Sequence, residues 1–229
     1  MPAPELVIFD CDGVLVDSEI IASRVEAKVL TDAGFAITPE ELASRYAGLT
    51  FKDILLSIEE NADAPLQATL IDRAESEVDK KVRKEVKALD GVHDAVAAVT
   101  VPKCVCSNSS HERVEAMLSR TRLLPFFKAH IYSSLETPTG RPKPAPDVFL
   151  YAAEKMNASP GRCFVIEDSV HGIAGARAAG MRVIGFTGGS HIQPGHADLL
   201  MEAGAETVIH RHQDLSGVLE ALSEWSEDA

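Results

Sequence analysis

The hydrophobic positions of this chain fall into two regimes. The first consists of short unbroken apolar runs: Leu6 to Phe9, Val101 to Cys106, Cys163 to Ile166 and Arg182 to Phe186, with shorter candidates at Ala129 to Tyr132 and Glu206 to Ile209. Runs of this length without alternation, rich in β-branched and aromatic residues, predict strands buried on both faces, as in a parallel sheet. Between them lie helical patterns over Glu112 to Arg120, Pro146 to Met156 and Val170 to Ala179. Strand and helix alternate repeatedly, which predicts an α/β core of the doubly wound, Rossmann-like kind.

The second regime, Ile20 to Ala88, contains no strand-like run and carries Ala, Glu, Leu and Lys at helical spacing. Breaks fall at Gly34, at Thr38-Pro39 (a cap with proline in the first turn), at Gly48 and over Asn61 to Pro65, so roughly four helices fit. The predicted organisation is a core of residues 1–17 and 89–229 interrupted by a helical insertion, 18–88, with hinges near Asp17 and Asp90-Gly91. Only the acidic end, Ser223 to Ala229, reads as frayed.

Composition narrows the partners. The 229 residues are 45% hydrophobic and 25% charged, ordinary for a globular protein. With 22 basic against 35 acidic residues the net charge is −13, which repels polyphosphate backbones and argues against nucleic acid. An anionic ligand must therefore be held by a local metal ion, lysine or arginine. No run approaches the roughly 18 apolar residues of a membrane span. Met-Pro-Ala-Pro-Glu leads straight into the first strand without a basic n-region, so no signal peptide is expected. Cys11, Cys104, Cys106 and Cys163 sit in or beside apolar runs and read as reduced core thiols of a cytoplasmic protein, monomeric or weakly self-associating.

In open α/β sheets ligands bind beyond the carboxyl ends of the strands. The first strand ends in Asp10-Cys11-Asp12-Gly13, the second in Ser107-Asn108-Ser109 and the fourth in Glu167-Asp168-Ser169. Arg141-Pro142-Lys143-Pro144 forms a stiff basic loop between the last two. Carboxylates, hydroxyls and an ammonium gathered at one edge suit phosphoryl transfer, which needs positioning and compensation of negative charge. Asp10, Asp168 and, with them, Glu167 are candidate ligands for Mg2+, a hard ion that takes oxygen donors. Either Glu167 or Asp168 can be the direct ligand, the other acting through water. Asp10 can attack phosphorus, Asp12 can protonate the leaving alkoxide and then deprotonate water, and Ser107, Asn108 and Lys143 can hold phosphoryl oxygens. These residues alone leave open whether Asp10 is nucleophile or ligand.

The segment Asp10-Cys11-Asp12-Gly13-Val14-Leu15-Val16-Asp17-Ser18-Glu19 resembles the opening motif of the haloacid dehalogenase superfamily, and Ser107, Lys143 and Glu167-Asp168 match its second, third and fourth motifs in order. The insertion is similar to the helical cap of the β-phosphoglucomutase-like and phosphoglycolate-phosphatase-like branch. The resemblance implies Asp10 as nucleophile, Asp12 as acid/base, and magnesium with the backbone carbonyl of Asp12 as an added ligand. It also implies that Tyr46 to Lys52 is a substrate-specificity loop, with Thr50 and Lys52 its polar contacts. Members that are dehalogenases or phosphonate hydrolases lack an acidic residue at the position of Asp12. The β-phosphoglucomutases carry histidine and arginine where this chain has Ala22 and Phe51. A magnesium-dependent phosphatase acting through an aspartyl-phosphate is therefore expected. The small metabolite would be a sugar phosphate or a sugar-acid phosphate such as 6-phosphogluconate. A sugar-phosphate mutase and a catalytically silent binding protein are the alternatives.

Several other residues read as structural. Gly172, Gly175 and Gly180 fit close packing and a helix end, Ser109 or Ser110 a helix cap, and Arg141 either a helper at the site or an exposed salt bridge. His191 and His196 sit in a loop beyond a core strand that could face the site but reads first as solvated, with zinc not expected, and His210 and His212 read as surface residues.

Overall fold

The computed structural model describes residues 4–46, 51–59, 69–128 and 130–224. It divides into two compact units, Met1–Asp17 with Lys87–Ala229, and Ser18–Val86. The larger unit holds six strands: β1 Leu6–Phe9, β2 Lys103–Ser107, β3 Ile131–Ser133, β4 Cys163–Glu167, β5 Arg182–Phe186 and β6 Thr207–Ile209. All pair in parallel in the order β3-β2-β1-β4-β5-β6. This is the doubly wound arrangement, and its order reverses between β1 and β4.

Burial on both faces accounts for the unbroken apolar runs. In β1 every residue is buried, and successive side chains point to opposite faces. Leu6 and Ile8 join Cys104, Cys106, Val165 and Val183 under α8 (Asp147–Lys155), α9 (Val170–Ala178) and α10 (His196–Glu202). On the opposite face Phe9 meets Phe127 edge-on, ring centroids 5.8 Å apart. That face is covered by α5 (Val92–Ala98), α6 (His111–Arg120), α7 (Leu124–Phe127) and α11 (Leu215–Glu224). Each buried Leu, Ile or Phe contributes about 1.5–3 kcal/mol relative to exposure, so the sheet is the rigid part of the unit.

Strand boundaries shift slightly from the apolar runs. β2 begins at Lys103, after Pro102, which has no N–H to donate to the ladder. The Lys103 ammonium instead caps the end of α5, donating to the carbonyls of Val96 and Val99 at 2.8 and 2.5 Å.

The smaller unit carries α1 (Glu19–Asp32), α2 (Pro39–Arg45), α3 (Phe51–Glu59) and α4 (Thr69–Glu85). Thr38 caps α2 with a reciprocal box: its hydroxyl accepts from the Glu41 N–H at 3.1 Å, and its own N–H donates to the Glu41 carboxylate at 2.9 Å. Leu30, Leu42, Ile54 and Leu55 form the small core, with Phe35, Ile37, Tyr46 and Phe51 packed against it. Phe51 thus has an apolar packing role. No helix of the described residues is long and apolar enough to cross a membrane.

Candidate active site

The candidate site lies in the larger unit, at the carboxyl ends of β1, β2 and β4 and in the loop before α8. Its centre is Lys143. The side chain is buried, and its ammonium donates to Asp10 Oδ1 at 2.5 Å, Glu167 Oε2 at 2.7 Å and the Cys106 carbonyl at 2.9 Å. Three acceptors use all three of its protons. The backbone beneath is clasped by Asn108, whose Oδ1 accepts from the Lys143 N–H at 2.8 Å and whose Nδ2 donates to the Lys143 carbonyl at 3.5 Å. The amide of Asn108, expected at a phosphate, is thus used to place the lysine.

The two aspartates of the first strand end stand in different surroundings. Asp10 is 7% exposed and continues the ladder, its N–H donating to the Ile166 carbonyl at 3.0 Å. Asp12 is half-buried, and its Oδ2 accepts from the hydroxyls of Ser107 at 3.2 Å and Ser109 at 2.9 Å. Ser107 in turn accepts from the Ser109 N–H at 2.9 Å. Ser110, not Ser109, caps α6, accepting from the Arg113 N–H.

At the end of β4, Glu167 has both oxygens engaged. Oε2 takes Lys143, while Oε1 accepts from the Ser169 hydroxyl at 2.8 Å and its N–H at 3.2 Å. Ser169 also caps α9 by accepting from the Gly172 N–H. Gly172 lies so near that a Cβ there would fall 1.9 Å from the Glu167 carboxyl carbon, so glycine is needed for close approach to the site. Asp168 is buried, with Oδ2 3.1 Å from Nε2 of His191 and its carbonyl 2.6 Å from Nε2 of His196.

Charge is crowded here. Burial, then the neighbouring Glu167 carboxylate, pushes Asp10 well above the usual carboxylate range against the pull of Lys143. Burial and Glu167 push Asp168 the same way. Burial alone would lower Lys143, but Asp10 and Glu167 outweigh it and hold the ammonium above its ordinary value. One cation thus faces more carboxylates than it neutralises. Asp10, Glu167 and Asp168 each offer an oxygen, all within 4.8 Å of one another. A buried, all-oxygen donor set with excess negative charge fits a hard divalent ion such as Mg2+. The Asp12 carboxylate is not one of that cluster, and its Oδ2 accepts from two serine hydroxyls.

The other expected residues lie outside this group or outside the described residues. Thr50 lies outside the described residues, and Lys52 is an exposed side chain of α3. Arg141 is an exposed ion pair, bonded to both Asp147 oxygens at 2.9 Å. Two readings of histidines are corrected. His191 and His196 belong to the site-facing reading, not the solvated one: both are half-buried, with Nε2 3.1 and 2.6 Å from oxygens of Asp168, although most of the loop between them is exposed. His212 is not a surface residue: it is 1% exposed, its ring 4.3 Å from that of Phe186 and its Nδ1 3.3 Å from the Asp90 carbonyl. Ser109, Ser169 and His191 are site residues to which sequence reasoning assigns no role there: Ser109 reads as a strand-end or cap residue, and His191 stands between site and solvent. The Ser-x-Ser spacing at 107–109 was an available signal for the first of them, since alternate residues of an extended segment point the same way.

Residues 7–186 match the haloacid dehalogenase-like hydrolase family. A 6-phosphogluconate phosphatase of Escherichia coli K12 is 32% identical over 193 residues, covering 83% of this chain and 86% of that protein. Among solved structures, a haloacid dehalogenase-like protein of unknown function from Agrobacterium tumefaciens C58 is 54% identical. Its TM-score is 0.90, over 96% of this chain and 99% of that one. A family hydrolase from Deinococcus radiodurans R1, solved with bound phosphate and sodium, is 33% identical with a TM-score of 0.79 over 95% and 96% of the two chains. The matched span runs from β1 through β5 and takes in every strand end that carries the site: this chain belongs to the haloacid dehalogenase-like hydrolase family.

Proposed function

We propose that this phosphoric monoester hydrolase cleaves a small phosphorylated metabolite of the sugar-phosphate or sugar-acid-phosphate class, with Asp10 as nucleophile and Mg2+ as cofactor, in the cytoplasm. The observation that carries the reading is the contrast between the two aspartates. Asp10 is buried against Lys143, whereas Asp12 is more open and held by two hydroxyls. This contrast supports Asp10 as the group that attacks and Asp12 as the one that exchanges protons.

The chain's own groups then divide the work. An Asp10 oxygen forms a bond to phosphorus as the ester oxygen departs with its electron pair, taking a proton from Asp12. Asp12, now a carboxylate, removes a proton from water, which attacks phosphorus and returns Asp10 as a carboxylate with release of inorganic phosphate. Ser107 holds a phosphoryl oxygen, as does Lys143 on exchanging one of its three protein acceptors for substrate, and Asn108 fixes the lysine backbone. Asp10, Glu167 and Asp168 would hold the ion, which when bound supplies positive charge that screens the attacking carboxylate from the phosphate. Asp168 is the better direct ligand, because both Glu167 oxygens already accept protein hydrogen bonds.

The substrate class is supported by the similarity to the 6-phosphogluconate phosphatase. Phosphatase is preferred to mutase because Ala22 and Phe51 stand where mutases carry ionisable groups, and Phe51 packs in the helical core. A screen of phosphorylated metabolites with Mg2+ or chelator tests this. Sugar or sugar-acid phosphates should turn over best, with phosphate released and activity lost in chelator. Asp10→Asn should fall at least about 10³-fold. Preference for nucleotides or phosphoproteins would overturn the substrate class. Activity surviving Asp10→Asn would overturn the nucleophile.

A further inference from the structure

The remaining flank of the site is closed by a loop that follows β5, residues 187–196, whose contacts the mechanism does not use. At one point Ser190 donates to Asp17 Oδ1, from its hydroxyl at 2.7 Å and its N–H at 3.3 Å. One residue on, Nε2 of His191 lies 3.1 Å from Asp168 Oδ2, on a ring less than a quarter exposed. Five residues further, Nε2 of His196 donates to the Asp168 carbonyl at 2.6 Å. A single loop therefore grips both the side chain and the backbone of Asp168.

Two glycines make room for this. Gly13 has φ +78°, and a Cβ there would sit 1.8 Å from Asp168 Oδ2 and 2.8 Å from His191 Cε1. Gly189, which is buried, would place a Cβ 2.7 Å from the same Cε1 and 3.1 Å from the Gly13 carbonyl. The ring is thus lodged between two stretches of bare backbone, one from the first strand end and one from the loop. A solvated loop has no need of such close approach.

We propose that His191 is a positioning residue that sets the affinity of the site for Mg2+ by holding one carboxylate oxygen of Asp168, so that the other is presented to the ion in a fixed orientation. The inference rests on the reading of Asp168 as a magnesium ligand. A carboxylate free to rotate must be ordered when an ion binds, whereas one already in contact with a wedged imidazole nitrogen loses little further freedom. His196 acts on the same residue from the backbone side, and Ser190 anchors the loop to Asp17.

Titration calorimetry of the metal-free protein with MgCl2 tests this without reference to turnover. Wild-type protein should bind, and Asp168→Asn should not. His191→Ala should bind about 10-fold or more weakly, since partners of metal ligands are commonly worth 10–100-fold in affinity. His191→Gln, which retains an N–H donor, should return to within about threefold of wild type. Ser190→Ala, at the loop's other anchor, should lose less than His191→Ala. In turnover the Ala variant should need more Mg2+ for half-activation yet keep its KM for substrate at saturating Mg2+, a split that general destabilisation does not produce. Binding by His191→Ala within twofold of wild type overturns the inference and leaves the metal reading intact. So does a Gln variant as weak as Ala. If wild-type protein takes up no Mg2+, the metal reading falls, and this inference with it.

Discussion

The two units handle ionic side chains in opposite ways. In the helical unit, Asp32 is shared by Lys28 at 2.9 Å and Arg73 at 2.6 Å, and Arg73 also meets Glu77 at 3.1 Å, all in exposed positions between α1 and α4. At the sheet edge, Lys143 makes contacts of similar length with Asp10 and Glu167, but the side chains are nearly sealed from water. Distance alone would rank the two networks as equals. Burial separates them. Exposed pairs gain little because water solvates the charges nearly as well, whereas removing one partner of a buried pair strands the other without compensation. The helical network is a surface detail. The sheet-edge network is a store of unbalanced charge, and catalysis is a use for it.

The largest effect expected from breaking this contrast is Lys143→Met. With the ammonium gone, Asp10 and Glu167 face each other in a buried space. Turnover should fall at least about 10³-fold, and the metal-free protein should lose about 3 kcal/mol at neutral pH, measured by urea denaturation. Stability should recover partly at pH 5, where a proton can replace the lost cation. A Met variant as stable as wild type at pH 7 would mean that the carboxylates are not charged together there.

The pH dependence sharpens the contrast because the two regions shift in opposite senses. Asp10 and Asp168 are raised, chiefly by burial and then by Glu167. A carboxyl raised on folding contributes stability that is fully present below its unfolded value, near 3.8, and lost as pH climbs through the folded value. Metal-free protein should therefore melt at lower temperature at pH 8 than at pH 5, with added Mg2+ removing most of that slope. Asp32 is lowered by its hydrogen bonds to Lys28 and Arg73, and Glu41 by that from the Thr38 N–H. Their contributions are present above the unfolded values and lost as pH falls through the folded ones. Melting in chelator that is flat from pH 5 to 8 would remove the electrostatic argument for a cation.

How much of this was legible in the sequence follows from range. β5 falls on Arg182–Phe186 as the apolar run predicts, because Gly180 and Gly188 bracket it and its burial is two-sided. The Thr38 cap was legible because every group involved lies within four residues. By contrast α7, four residues with Pro125 inside, is too short to show a helical period. The Ser109–Asp12 bond spans 97 positions, and the His191–Asp168 contact joins two loops from different strands. The strand-end rule could place Asp10, Lys143 and Glu167-Asp168 at one edge. It could not say that Asn108 serves the lysine backbone, or that a loop beyond β5 folds back onto Asp168. The burial of His212 against Phe186 is a tertiary fact of the same kind.

The smallest effect is the most discriminating control. Arg73 joins α1 to α4 through Asp32 and holds Glu77 as well, so a tally of ion pairs would rank it beside Lys143. Its guanidinium is exposed, its partners are solvated, and Lys28 remains on Asp32 when it is removed. Arg73→Ala should therefore shift the melting midpoint by no more than about 2 °C, with the small difference vanishing in high salt, where exposed charges are screened. Turnover should be unchanged. A drop approaching that of Lys143→Met would show that the helical unit depends on its surface charges as the sheet edge depends on its buried ones, and the contrast between the units would be one of geometry, not solvation.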